Sequence, residues 1–481
     1  MIKRYNIFKI LFIITLVLLF LPAFVFYCGE RTYRVFFIFL LTFFGLYIIK
    51  NPKSFFLQVY CLCNKTPFKY LAWFIIYLFA SSIFMLFFNY KYGVTALFYV
   101  LQFAILYILP CFLLSSYFIT KNNNLSLFIK IYFSALFAIF VFGLIDYFGG
   151  RILNVKFITS IQHFLANERY IGIESHFQHI RLCSVFAEPG WLGGFIFLNF
   201  PIIYKGCTSK FKIFKNNVFN ILIKKSLIPL AWLNLIFTFS PIWLVFCLIQ
   251  VVLIYGRNIL KFLFKHCIFV MLLFLIITAI IVTIFKTFGI NIHVIERIVN
   301  TLTNILNFNT LILAEPSLGS RLVSYSTMLH VFKEHPMLGV GLSNNYYYIA
   351  DIIDKYSIPM TAENFANYQK YLTTGKMLYN PSTFYTLLSE TGLIGAFLYY
   401  LLIYKLIRCI KYVKTHMQLS MMKDVACGLY LSLCFYVFMT FYDTVLANPF
   451  NIFFMGLVIP FYFYYMQQCC DCLQKQEEKK Q

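Results

Sequence analysis

The chain has 481 residues, 61% hydrophobic and 12% charged, against roughly 45–50% and about 25% in soluble globular proteins. This composition excludes an ordinary soluble enzyme and makes the membrane span the unit to count. Forty Lys and Arg against 17 Asp and Glu leave a formal charge of +23, which would suggest nucleic acid in a soluble chain but here must first be sorted by side of the membrane.

A helix needs about 17–25 mainly apolar residues to cross roughly 30 Å of hydrocarbon. In chain order, twelve runs qualify: 7–27, 35–49, 70–89, 95–118, 125–148, 188–204, 219–239, 241–255, 266–285, 383–404, 425–443 and 449–467. The first comes after a basic segment, as in a signal peptide, but is too long for an h-region and has no small-residue cleavage site, so it reads as an uncleaved anchor. The stretch Leu227 to Tyr255 divides at Ser240-Pro241, because proline disfavours helix at the residue before it.

Lys and Arg collect in cytoplasmic loops. With the N terminus inside, 26 of the 40 basic residues are cytoplasmic and 14 outside, whereas 13 of the 17 acidic residues lie outside or at outer helix ends. The net charge is then +22 inside and +1 outside, so the excess is an orientation signal and no nucleic-acid partner is expected. A single helix over 219–255 would put the Lys205 to Lys225 and Arg257 to Lys265 clusters on opposite sides, against this rule. The expected fold is an all-α polytopic membrane protein. It forms one integral membrane domain over 1–481, with about 12 transmembrane helices and both termini cytoplasmic.

Most of the fourteen Cys fall in spans or cytoplasmic segments, which argues against a disulfide framework. Cys469, Cys470 and Cys472 cluster near the end, but no second Cys or His pair stands at zinc-site spacing, so no metal or cofactor is expected.

Two outer loops remain, 149–187 and the much longer 286–382. A loop of the latter length is usually functional or disordered, and short helices are expected within it. Ile295, Ile298, Val299, Leu302 and Ile305 recur at helical spacing, giving an amphipathic helix over 293–306. A second helix runs from Ser320 to Glu334 and stops at Pro336. Gly339 and Gly341 then form a turn that admits close backbone approach.

Within this loop, Ser320-Arg321 and then His335-Pro336-Met337-Leu338-Gly339-Val340-Gly341 resembles the O-antigen polymerase and ligase superfamily of bacterial surface-polysaccharide enzymes. Two further strips resemble that family: Tyr379-Asn380-Pro381 with Glu390-Thr391-Gly392-Leu393-Ile394-Gly395, and Arg181 to Gly190. The resemblance covers roughly 180–395. It implies transfer of a growing glycan from a lipid (undecaprenyl) diphosphate to a lipid-linked repeat unit, outside the bacterial cytoplasmic (inner) membrane. Tyr379 stands where the ligases carry a histidine, which favours polymerase over ligase. A chain-length regulator is the partner that the resemblance implies, besides membrane lipids and the lipid-linked oligosaccharide.

The chemistry fits these residues. The leaving group is an anionic diphosphate, and arginine offers it a planar, permanently charged fork. Arg181 and Arg321 are the expected diphosphate ligands and stabilise charge on its bridging oxygen. The attacking hydroxyl needs a base. Glu188, Glu390, His330, His335, Asp351 and Asp354 are candidates, with Glu188 preferred because it adjoins a span. His330, His335, Gly339, Gly341, Tyr379, Asn380 and Glu390 are expected around the substrate, and Tyr346, Tyr347, Tyr348, Tyr368 and Tyr371 offer flat sugar-binding faces. Plainer readings stand beside these: a glycine turn, an Asn380 helix cap, an interfacial tyrosine belt. The rivals are an O-antigen ligase, and a flippase or transporter, whose polar site would sit at the bilayer midplane.

Overall fold

The structure is a computed structural model that describes residues 14, 25–28, 31–34, 42, 45, 49, 68–88, 90–104, 124–166, 182, 184–186, 189–238, 240–265, 316–361, 364–366, 368–369, 382–442 and 454–466. It opens with a two-stranded antiparallel hairpin, β1 (Val25–Cys28) and β2 (Arg31–Arg34), in the register Val25 to Arg34. The remaining described elements are helical, as expected. The hairpin is the exception to the all-α reading, and it takes residues 25–27 from the first predicted span.

The helices are α1 (Phe68–Phe88), α2 (Tyr90–Gln102), α3 (Asn124–Ile145), α4 (Lys156–Ala166), α5 (Pro189–Thr208), α6 (Asn217–Phe237), α7 (Pro241–Lys265), α8 (Pro316–Glu334), α9 (Asn345–Tyr356), α10 (Thr383–His416), α11 (Met421–Tyr442) and α12 (Phe454–Met466). Among the described residues, five stretches are long and apolar enough to cross a membrane: Lys69–Phe87, Leu125–Ile152, Asn217–Phe237, Thr383–His416 and Met421–Tyr442. The chain is a multi-pass membrane protein. The expected break at Ser240-Pro241 is present, with α6 ending at Phe237 and α7 starting at Pro241. The predicted span 266–285 and the predicted helix 293–306 lie outside the described residues.

Helix α5 is the centre of the bundle, with α11, α6 and α7 packed on it and α10 beyond α11. Its sequence explains its burial. Gly193 and Gly194 make room for the Trp243 ring of α7, and Gly206 makes room for Phe133 of α3. Pro201 lacks an N–H, so the Phe197 carbonyl loses its helical donor, and the side chain of Gln250 on α7 donates to it instead at 2.9 Å. Asn199 accepts from the Tyr132 hydroxyl of α3, and Asn234 of α6 donates to the Phe140 carbonyl at 2.9 Å. Such bonds are what a chain in hydrocarbon must supply for every backbone group that its helices release.

Gly428 lets α11 touch the α5 backbone, since a Cβ there would fall 2.6 Å from Ile202 Cα. Gly428→Ala must separate the two helices and is expected to destabilise by about 1–3 kcal/mol. Thermal unfolding of the purified full-length protein in detergent measures this. Gly190→Ala, with nothing within 4 Å of the new Cβ, serves as the control with no loss.

Candidate functional site

Helices α8 and α9 build a second, smaller core. Val323, Met328 and Val331 of α8 meet Ile349, Ile352 and Ile353 of α9, closed by Val340 and Ile358. Helix α8 begins four residues earlier than predicted, at Pro316, because proline is favoured in a first turn. It ends at Glu334, as the nearby Pro336 requires. Its path is set by α10. Tyr325 stacks on Tyr385 with ring centres 4.6 Å apart, Met328 Sδ accepts from Ser389 Oγ at 3.1 Å, and the Pro336 carbonyl accepts from the Leu393 amide at 2.9 Å. The two helices therefore run side by side in the same direction.

Where α8 ends, the two glycine motifs lock together. Gly392 has φ +65 and ψ −169, a conformation open to glycine alone, and it interrupts α10. In an unbroken helix the Leu393 N–H would donate to the Ser389 carbonyl. Here it turns to Pro336, and the released carbonyls of Ser389 and Glu390 accept the N–H groups of Val340 and Gly341, at 2.9 and 2.8 Å. The Thr391 carbonyl accepts from the Tyr77 hydroxyl of α1 at 2.6 Å. Gly339 and Gly341 have φ +69 and +88. A Cβ on Gly339 would fall 2.5 Å from the Glu390 carbonyl oxygen, and one on Gly392 would strike the Met337 carbonyl. The expected close approach at Gly339 and Gly341 is thus an approach to another stretch of this chain.

The Glu390 side chain is sealed inside this junction, 6% exposed, and Asn345 Nδ2 donates to it at 3.0 Å. The Ser343 backbone amide faces the same carboxyl. Asn344 ties the turn by donating to the Val340 carbonyl at 2.9 Å.

At the other end of α8, Arg321 is partly buried, with its guanidinium carbon 4.2 Å from the centre of the Tyr442 ring. One turn on, the Tyr325 hydroxyl donates to the Tyr442 carbonyl at 2.8 Å. Phe384 of α10 packs on Phe441 of α11 at 4.5 Å, so the start of α10, the end of α11 and the start of α8 converge here. No carboxylate among the described residues pairs with Arg321.

The shorter of the two long loops, 149–187, folds more than expected over its described residues. α3 continues as a π-helix over Asp146–Ile152, in which Arg151 Nε donates to the buried Asp146 carboxylate at 3.2 Å. Tyr147 there stacks on Phe237, the last residue of α6, at 4.3 Å. Leu182 and Ser184 are fully buried, the Leu182 amide donating to the Phe237 carbonyl at 2.9 Å and Ser184 Oγ to the Ile139 carbonyl at 2.9 Å. The strip that carries Arg181 is therefore anchored between α3 and α6. Arg181, Glu188, Tyr371, Tyr379 and Asn380 themselves lie outside the described residues.

The two histidines do not join Arg321. His330 is nine positions further along α8, hence on the opposite face; its ring packs on Tyr356 at 4.2 Å and Nδ1 bonds the Ser326 carbonyl. His335 packs on Tyr348. Glu334 accepts from Lys355 at 2.6 Å, and this contact holds its carboxyl below the usual carboxylate range. The strap between α8 and α9 is accordingly kept at neutral pH and lost as pH falls through that lowered pKa. Asp354 accepts from Tyr368, while Asp351 is exposed. Among the described residues no group of three His, Cys, Asp or Glu is placed to hold a metal ion. Reading the sequence alone missed Asn345, Tyr77 and Tyr442; the Asn344-Asn345 pair three residues after Gly341 was the one local signal available.

Gly392→Ala is expected to cost more than about 2 kcal/mol, from strain and from the lost backbone pairs. Glu390→Ala strands the Asn345 amide at about 1–3 kcal/mol, whereas Glu390→Gln keeps an acceptor and loses less. Unfolding of the three purified variants in detergent gives the ranking.

Residues 227–400 match the family model described as O-antigen ligase. The matched segment contains Arg321, the Pro336 to Gly341 turn and the break at Gly392, and it supports the resemblance to the O-antigen ligase and polymerase superfamily. No curated protein matches the chain.

Proposed function

We propose that this chain is a surface-polysaccharide polymerase of the superfamily its residues 227–400 match, with α8, α9 and the start of α10 on the outer face of the bacterial cytoplasmic membrane and both termini inside. The growing glycan leaves its undecaprenyl diphosphate carrier as the bond from its anomeric carbon to the diphosphate oxygen breaks. A hydroxyl of an incoming lipid-linked repeat unit forms the new glycosidic bond and gives up its proton. The carrier departs as a diphosphate anion. Arg321, joined by Arg181, binds that anion and stabilises the charge that develops on the bridging oxygen. Glu188 takes the proton from the acceptor hydroxyl. Glu390, enclosed in the glycine junction, holds the loop in shape and does not meet the substrate.

The observation that carries this reading is the state of Arg321. A guanidinium with one face on an aromatic ring and no carboxylate partner among the described residues keeps its N–H edge for an external anion. A second reading, a ligase that moves finished polymer to lipid A-core, draws on the description of the matched family. The histidine that ligases carry is replaced by Tyr379 here, and His330 and His335 both pack on tyrosines away from Arg321.

Arg321→Ala is expected to abolish chain extension while membrane insertion and protein level stay normal. Deletion of the protein, with gel analysis of the glycans, separates the alternatives. Surface lipid capped by one repeat unit supports polymerase, long polymer stranded on its carrier supports ligase, and absence of lipid-linked repeat from the outer face supports a flippase. Undiminished polymer length in Arg321→Ala would remove Arg321 from the mechanism.

A further inference from the structure

We infer that Tyr442 is a positioning residue for Arg321, its ring fixing the plane of the guanidinium so that the N–H edge is presented to the diphosphate; this rests on the role proposed for Arg321. Tyr442 lies outside the segment that matches the family, at the last turn of α11. Its ring is held on several sides. Trp243 and Phe246 of α7 meet it edge-on, at 5.4 Å and 87°, and 5.7 Å and 85°. Trp243 is 1% exposed and seated against Gly193 of α5, so the ring rests on the bundle's centre and not on a loop. The Tyr442 carbonyl takes the Tyr325 hydroxyl, which ties α8 to α11 one turn from Arg321.

An arginine side chain carries several free torsions, and ordering it on binding costs affinity. A ring already fixed beneath the guanidinium removes part of that cost before the anion arrives. It also satisfies the cation's face, which has no hydrogen bonds to make, and leaves all five N–H donors in the plane. A carboxylate in the same place would occupy those donors and cancel the charge that the diphosphate needs. An aromatic ring is the partner that orients a guanidinium without consuming its fork.

The test uses the purified full-length protein in lipid nanodiscs with farnesyl diphosphate as the probe. Tyr442→Leu is expected to weaken binding about tenfold and Tyr442→Phe by no more than about twofold, the scale of a partly desolvated cation–π contact. Replacing residue 442 with phenylalanines carrying one, two and three ring fluorines keeps the shape while draining the ring's negative face. Affinity should fall stepwise along that series, a trend that a packing role does not produce, and the series remains informative if Tyr442→Leu fails to fold. A flat fluorine series, or a loss in Tyr442→Phe equal to that in Tyr442→Leu, overturns the inference. Arg321→Ala distinguishes the two levels: if it binds the probe as the parent does, the role of Arg321 fails; if it loses binding while the fluorine series is flat, only the role of Tyr442 fails.

Discussion

One broken helix organises this protein. At Gly392 the backbone of α10 leaves helical geometry, and the Ser389, Glu390 and Thr391 carbonyls and the Leu393 amide bond outside the helix. Away from water such groups have to be paired; the Pro336 to Gly341 turn supplies three of these bonds and Tyr77 the fourth. The glycines on both sides are required by the same contact: each carries a left-handed φ, and a Cβ on Gly339 or Gly392 would occupy backbone of the other strand. Neither segment makes its shape alone. The loop gives α10 its partners, and α10 gives the loop its path.

That junction sets the rest of the candidate site by leverage. Helix α8 is held at its far end by the glycine contact and along its length by Tyr325 on Tyr385 and Met328 on Ser389. A helix held in that way has little freedom of rotation, so the residue at its near end, Arg321, faces α11 consistently. The Tyr442 ring, Trp243 and the glycines of α5 then connect that end to the most buried helix of the bundle. The sequence carries +23 overall. In the topology read from it, most of that charge lies on the opposite side of the membrane, which gives a few outer arginines their weight.

Local rules were legible in the sequence and long-range pairings were not. The break at Ser240-Pro241, the helix that ends before Pro336 and the turn at Gly339 and Gly341 were all readable, because proline and glycine act through their own backbone geometry. The motif around Glu390 was visible too, but Gly392 read as part of the span 383–404 and not as an interruption. Its conformation makes sense only once residues some fifty positions earlier are beside it. Glu390 was expected at the substrate; its burial beneath Asn345 could not be seen without that register. Tyr442 has an ordinary interfacial tyrosine's signature in sequence and gains a role only from Arg321, more than a hundred residues away. The hairpin at residues 25–34 was hidden by apolar β-branched and aromatic residues that serve a span or a strand equally well.

Helix α10 has 34 residues, about 51 Å at 1.5 Å per residue, some 20 Å more than the hydrocarbon of a bilayer. From Leu393 to His416 alone it extends roughly 36 Å, already enough for the crossing. The break at Gly392 therefore works as a doorsill. The residues beyond it are long enough to make the crossing, and those ahead of it, from Ser382 to Thr391, pack with α8 and α9. On the function proposed above, a carrier lipid whose tail stays among the acyl chains would bring its diphosphate to the level of this break without leaving the membrane.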